Sequence, residues 1–129
     1  MLATALAHPT VFVRDLDRAR EFYETLGLTV TVRVSTGIFM SAGGGSIFPL
    51  IYRADATPPG HTIAAFQVDD LPAVLSGLRA RGIVFEEYDL PGLRTVDGIA
   101  DMGDYRAAWL KDPDGNFIGV HEPPGAKAS

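Results

Sequence analysis

The chain has no cysteine among its 129 residues. Disulfides, thiolate metal sites and a cysteine nucleophile are therefore excluded. Basic residues are scarce: 11 Lys and Arg stand against 16 Asp and Glu, a net charge of −5. Phosphate binding needs clustered cations, so nucleic acid is not an expected partner. No apolar run approaches the ~20 residues that a membrane span requires. The stretch from Met1 to Ala7 is apolar, but it is short and lacks the basic flank of a secretory leader. A cytoplasmic protein without membrane contact is expected. With three histidines and one tryptophan, few side chains are left to carry chemistry, and their positions become informative.

What is present is a repeat. Val13-Arg14-Asp15-Leu16 opens a helical pattern that ends at Leu26-Gly27-Leu28, and Val68-Asp69-Asp70-Leu71 opens another that ends at Arg81-Gly82-Ile83. An offset of 55 carries Val13, Asp15, Leu16, Gly27 and Leu28 onto Val68, Asp70, Leu71, Gly82 and Ile83. Such a repeat implies two similar modules in one domain. Module one spans about 8–53, the Pro- and Gly-punctuated linker 54–60, and module two about 61–122.

Each module reads strand, helix, strand, strand, strand. In the first, His8 to Arg14 is a strand, and Asp15 or Asp17 caps a helix with Ala19, Phe22, Tyr23 and Leu26 at helical spacing. Gly27 suits a left-handed helix end. Leu28 to Val34 alternates as a half-buried strand, and Ile38 to Ser41 and Ser46 to Tyr52 follow around Gly43-Gly44-Gly45. In the second, a strand from near His61 precedes Asp69-Asp70, which read as a helix start. Leu71, Val74, Leu75 and Leu78 form the helix stripe, with Pro72 in the first turn. Ile83 to Leu90 is expected as a strand and Pro91 to Asp104 as a loop able to act as a lid. Tyr105 to Lys111 and Asn116 to His121 form a hairpin across Asp112-Pro113-Asp114-Gly115. The tail from Pro123 is small and polar and is expected to fray.

Three segments carry a resemblance: Val13-Arg14-Asp15-Leu16-Asp17-Arg18-Ala19 through Phe22-Tyr23 to Leu28, then Phe66 to Gly82, then Trp109-Leu110-Lys111-Asp112-Pro113-Asp114-Gly115-Asn116. Together the pattern resembles the vicinal-oxygen-chelate superfamily, which includes glyoxalase I, extradiol dioxygenases and bleomycin-resistance proteins. The resemblance implies an α+β fold of two βαβββ modules forming a half-open, cup-shaped sheet, commonly in a homodimer. It implies no single reaction, because one fold hosts many.

Enzymes of that superfamily hold a divalent metal with ligands from the first and last strands of each module. The resemblance places those positions at His8, near Pro49, at Ile63 and at Gly119. Only His8 is a donor, whereas such metals need three or four. A displaced site of His8, His61 and His121, taking Ni, Zn, Fe or Mn, is the alternative.

Without a metal, residues of matching strand parity line an apolar cup: Thr10, Phe12, Pro49, Ile51, Ile63, Ala65, Gln67, Phe117 and Gly119, with His121 at the rim. Trp109 stands where members of the superfamily often stack an aromatic side chain on the ligand. Trp109 is read as lining the cup rather than the core, whereas Phe12 is equally readable as core. Two functions follow. One is a metal-free binder that sequesters an aromatic or antibiotic-like small molecule. The other is a lyase, isomerase or dioxygenase. With a metal it would stabilise an enediolate-like intermediate; without one, His8 would be the base.

Overall fold

The structure is a computed structural model and describes residues 1–123; the expectation of a frayed tail lies outside the described residues from Pro124 onward. The chain divides into two compact units between Thr57 and Pro58.

The first unit contains β1 (Val11–Val13), α1 (Leu16–Thr25), β2 (Thr29–Val34), β3 (Gly37–Ser41) and β4 (Ile47–Tyr52), with a 3-10 turn at Gly43–Gly45. Its sheet order is β1-β4-β3-β2. β1 runs parallel to β4, with Val11 opposite Leu50 and Phe12 opposite Ile51. Strand alternation sends Val11, Val13, Ile38, Met40 and Leu50 into the core, where they meet Ala19 and Tyr23 of α1. The Tyr23 ring lies 4.8 Å from that of Phe48. Asp15, not Asp17, is the cap: its carboxylate accepts the Arg18 N–H at 3.0 Å. Asp17 instead accepts from Arg33 on β2 at 2.9 Å.

The second unit contains β5 (Thr62–Gln67), α2 (Leu71–Ala80), β6 (Asp89–Leu90), β7 (Leu93–Val96), β8 (Ile99–Asp101), β9 (Arg106–Lys111) and β10 (Phe117–His121). The sheet order is β5-β10-β9-β8-β7-β6. β5 is parallel to β10, as β1 is to β4. Leu71, Leu75 and Leu78 of α2 are buried with Leu110, Ile118 and Val120. Asp70 caps α2 by accepting the Ala73 N–H.

The two helices end in the same way. Gly27 and Gly82 have φ of 105° and 90°. The amide of the next residue reaches back, Leu28 to the Tyr23 carbonyl and Ile83 to the Leu78 carbonyl. This double-bonded terminus needs a left-handed residue, which glycine supplies without strain. The repeat read in the sequence is thus a repeat of caps as well as of elements.

Two expectations are corrected. Ile83 to Leu90 is not one strand: Phe85 forms an isolated bridge to Leu110, and only Asp89–Leu90 pair regularly. The edge of β9 is shared, because β8 takes Arg106 and Ala107, leaving only Trp109 and Leu110 for Phe85 and Glu86. Pro91 to Asp104 is not a loop but contains β7 and β8, so the described residues form ten strands rather than eight. Both of its connections are two-residue turns. Asp97 and Gly98, with φ of 52° and 79°, join Val96 to its partner Ile99. Positive φ at both central residues is the type I′ hairpin geometry. Pro91-Gly92 joins the paired Leu90 and Leu93, with Gly92 at φ 78°.

Candidate ligand-binding groove

A groove of about 370 Å³ opens in the second unit. Trp109 of β9 and Phe117 of β10 line it together with Tyr88 and Leu93, and Gly60, His61 and Thr62 complete the lining. The rings of Tyr88 and Trp109 meet edge to face, with centroids 5.8 Å apart at 79°. None of the lining side chains carries a fixed charge. The Lys111 ammonium lies near the groove, 4.9 Å from the centre of the Phe117 ring, and is paired to Glu86 at 3.2 Å. Burial, then the Glu86 charge, raises the Tyr88 hydroxyl above its ordinary pKa, so this group stays a neutral donor and acceptor.

Sheet register explains why Trp109 faces an opening. Gly119 lies opposite both Trp109 and Ala65. A Cβ at Gly119 would sit 3.5 Å from Ala65 Cβ and Thr62 Cγ2, and 3.7 Å from Trp109 Nε1. Gly119 is buried there, and the indole edge lies against its backbone. The indole N–H has no hydrogen-bond partner among the described residues.

Trp109, Phe117, Gly119, Ala65 and His61 are therefore gathered in one region. Gln67 and His121 are opposite each other at the far end of the same strands. Ile63 is half-buried and is skipped by the register shift that sets Thr62 opposite Phe117 but Ala64 opposite Ile118. In the first unit, Pro49 is fully buried and lines no open surface, which corrects its place in the cup. β4 runs through the sheet interior, and Pro49 is opposite Phe39. Phe12 is 41% exposed, so it is not core. The Arg53 guanidinium covers its ring at 5.1 Å. Ile51 is half-buried beside it, while Thr10 and His8 are exposed before β1 begins.

The sequence reading gave no role to Tyr88 and Leu93, because it took their neighbourhood for a plain strand and a loop. A wider, open groove of about 980 Å³ runs along β6, β7 and β8, with Leu93 as a wall common to both. The acidic residues nearby are engaged locally: Glu87 accepts from the Thr95 hydroxyl, and Asp101 accepts the Gly103 N–H.

A family model for the Glyoxalase/Bleomycin resistance protein/Dioxygenase superfamily matches residues 5–120. The chain belongs to this superfamily. No curated protein matches the sequence. Among solved structures, a bleomycin resistance determinant encoded on the transposon Tn5 is similar at 22% identity and a TM-score of 0.72, over 92% of this chain and 98% of that one. The oxidase ChaP-H2 is similar at 25% identity and 0.70, over 95% of each chain. A lactoylglutathione lyase from Agrobacterium tumefaciens is similar at 22% and 0.66, over 93% and 94%. Superfamily members thus share this fold while doing different things.

The superfamily's metal positions can now be tested on this chain. Pro49, Ile63 and Gly119 offer no donor side chain. Nor do the displaced histidines converge. His61 precedes Thr62, which is level with Phe117, whereas His121 is level with Gln67. At ~3.3 Å per residue, that places them about 16 Å apart along parallel strands. Two nitrogens on one ion lie within about 4 Å of each other. Within either unit the described residues form no group of three His, Cys, Asp or Glu able to hold an ion. At the superfamily's positions only His8 is a donor, and His61 and His121 cannot share one ion.

Proposed function

We propose that the protein binds a small, planar aromatic molecule in the Trp109 groove without a metal and without converting it. The observation that carries this reading is the groove itself: three aromatic rings and Leu93 around an opening with no fixed charge in the lining. A site of this size and apolar character suits a small ligand held mainly by stacking and burial. A chain of the same fold has been solved as a bleomycin-binding protein complexed with bleomycin, which supports a binding role for the fold. Metal-assisted catalysis of the lyase or dioxygenase kind would need donors that Pro49, Ile63 and Gly119 do not supply. The working form is proposed to be a cytoplasmic homodimer.

The sole tryptophan makes the test direct. Planar aromatic compounds should quench Trp109 fluorescence saturably and be recovered unchanged after prolonged incubation. Consumption of a bound compound would transfer the protein to the enzymes. After exposure to Ni, Zn, Mn and Fe(II) and dialysis, the protein should retain less than about 0.1 equivalent of any of them, since a functional site holds its ion tightly.

A further inference from the structure

We infer that the groove selects hydroxylated aromatic molecules, held by a hydrogen bond to Nε2 of His61 and one from the indole N–H of Trp109. The inference rests on the proposed binding role and names its ligand class. His61 Nδ1 lies 3.1 Å from the Thr62 carbonyl oxygen. A carbonyl only accepts, so when the ring is uncharged Nδ1 is the donor and Nε2 presents a lone pair. Nε2 has no partner among the described residues. The Trp109 N–H, on a side chain that lines the groove, is likewise unpartnered among the described residues and can only donate.

The groove therefore offers one acceptor and one donor among aromatic walls, with no charged group in the lining. A hydroxyl answers both, because its oxygen accepts while its hydrogen donates. An ether answers only Trp109, and a bare hydrocarbon answers neither. A carboxylate on the ligand would meet no cation in the lining, so the bound portion is neutral. Tyr88 and Phe117 supply the ring contacts that make the ligand aromatic rather than aliphatic.

Equilibrium dialysis of the full chain against naphthalene, 2-methoxynaphthalene and 2-naphthol tests this. 2-Naphthol should bind about tenfold more tightly than its methyl ether, the worth of one well-made hydrogen bond in a partly dry site. His61→Phe should erase that preference, and His61→Gln, which keeps an acceptor, should retain part of it. His61 is exposed and precedes β5, so neither change should disturb the fold. Equal binding of 2-naphthol and its ether, or a preference that survives His61→Phe, would overturn the inference while leaving the groove intact. If none of the three compounds binds, the binding role fails and the inference with it.

Discussion

Glu122 is a buried carboxylate whose partners are all visible. Arg106 donates to it from Nε and Nη2, each at 2.7 Å, and the Leu71 amide donates at 3.0 Å from the first turn of α2. The Arg106 hydrogen bonds, then the Leu71 amide, hold its carboxyl below the ordinary value of 4.5 against the opposing pull of desolvation. A depressed carboxylate gives its full stabilisation above its unfolded value and loses it as pH falls through the folded one. Glu122→Gln should cost about 2 kcal/mol at pH 7. The gap to wild type in urea unfolding should narrow as pH drops below 4.5. A gap that stays constant with pH would show that the charge of Glu122 contributes nothing. Gly119→Ala makes the opposite kind of test, since its Cβ would find only ordinary contacts at 3.5 to 3.7 Å. The melting temperature should hold or rise slightly, while aromatic quenching of Trp109 weakens as the added methyl crowds the indole edge. Undiminished quenching would move the ligand away from Gly119.

Among the elements, the β7–β8 hairpin is where sequence reading and structure part. Its type I′ turn was written in Val96-Asp97-Gly98-Ile99, an Asp-Gly pair between apolar residues and a strong short-range hairpin signal. The surrounding Gly- and Asp-rich composition masked it. The long-range reason it pairs, an edge of β9 divided between β8 and Phe85, has no local signature. By contrast, α1, α2 and their glycine ends were legible, because spacing and capping are local properties. Trp109 and Phe117, named from the sequence, line the groove; its wall, Tyr88 and Leu93, depends on the hairpin and was not legible. The hairpin is also fastened from outside the sheet. Arg79 of α2 donates to the Asp97 carbonyl at 2.6 Å, and its guanidinium lies over the Phe85 ring at 5.5 Å. Arg79→Ala should speed amide exchange in Leu93–Ile99 while α2 stays protected, at a cost of about 1–2 kcal/mol. Unchanged exchange there would show that the turn holds itself. Gly98→Ala should cost more than about 1 kcal/mol. Its φ is 79°, and a Cβ would lie 2.7 Å from Arg79 Nη2 and 3.2 Å from Phe85 Cβ.

At the scale of the whole molecule, the composition and the surface make different demands. A net charge of −5 favours solubility, and among the described residues no helix is long and apolar enough to cross a membrane. Yet all six residues of β2 are exposed. Arg33 turns to Asp17 of α1, so by alternation Val32 and Val34 project from the opposite face, 49% and 42% exposed. β2 is also a sheet edge. An apolar edge of this length invites pairing unless something covers it. A second copy of the chain would do so, and this supports the proposed homodimer. In sedimentation equilibrium the wild type should run at twice 13.8 kDa. Replacing Val32 and Val34 together by Lys should shift it to the monomer. Because Trp109 and Phe117 belong to the other unit, the double variant also separates assembly from binding. A monomer that still binds aromatics would show that the groove is complete within one chain, and a monomer that has lost binding would show that a second copy supplies part of it. A wild type that sediments at 13.8 kDa would remove the homodimer and leave the exposed β2 valines without a partner.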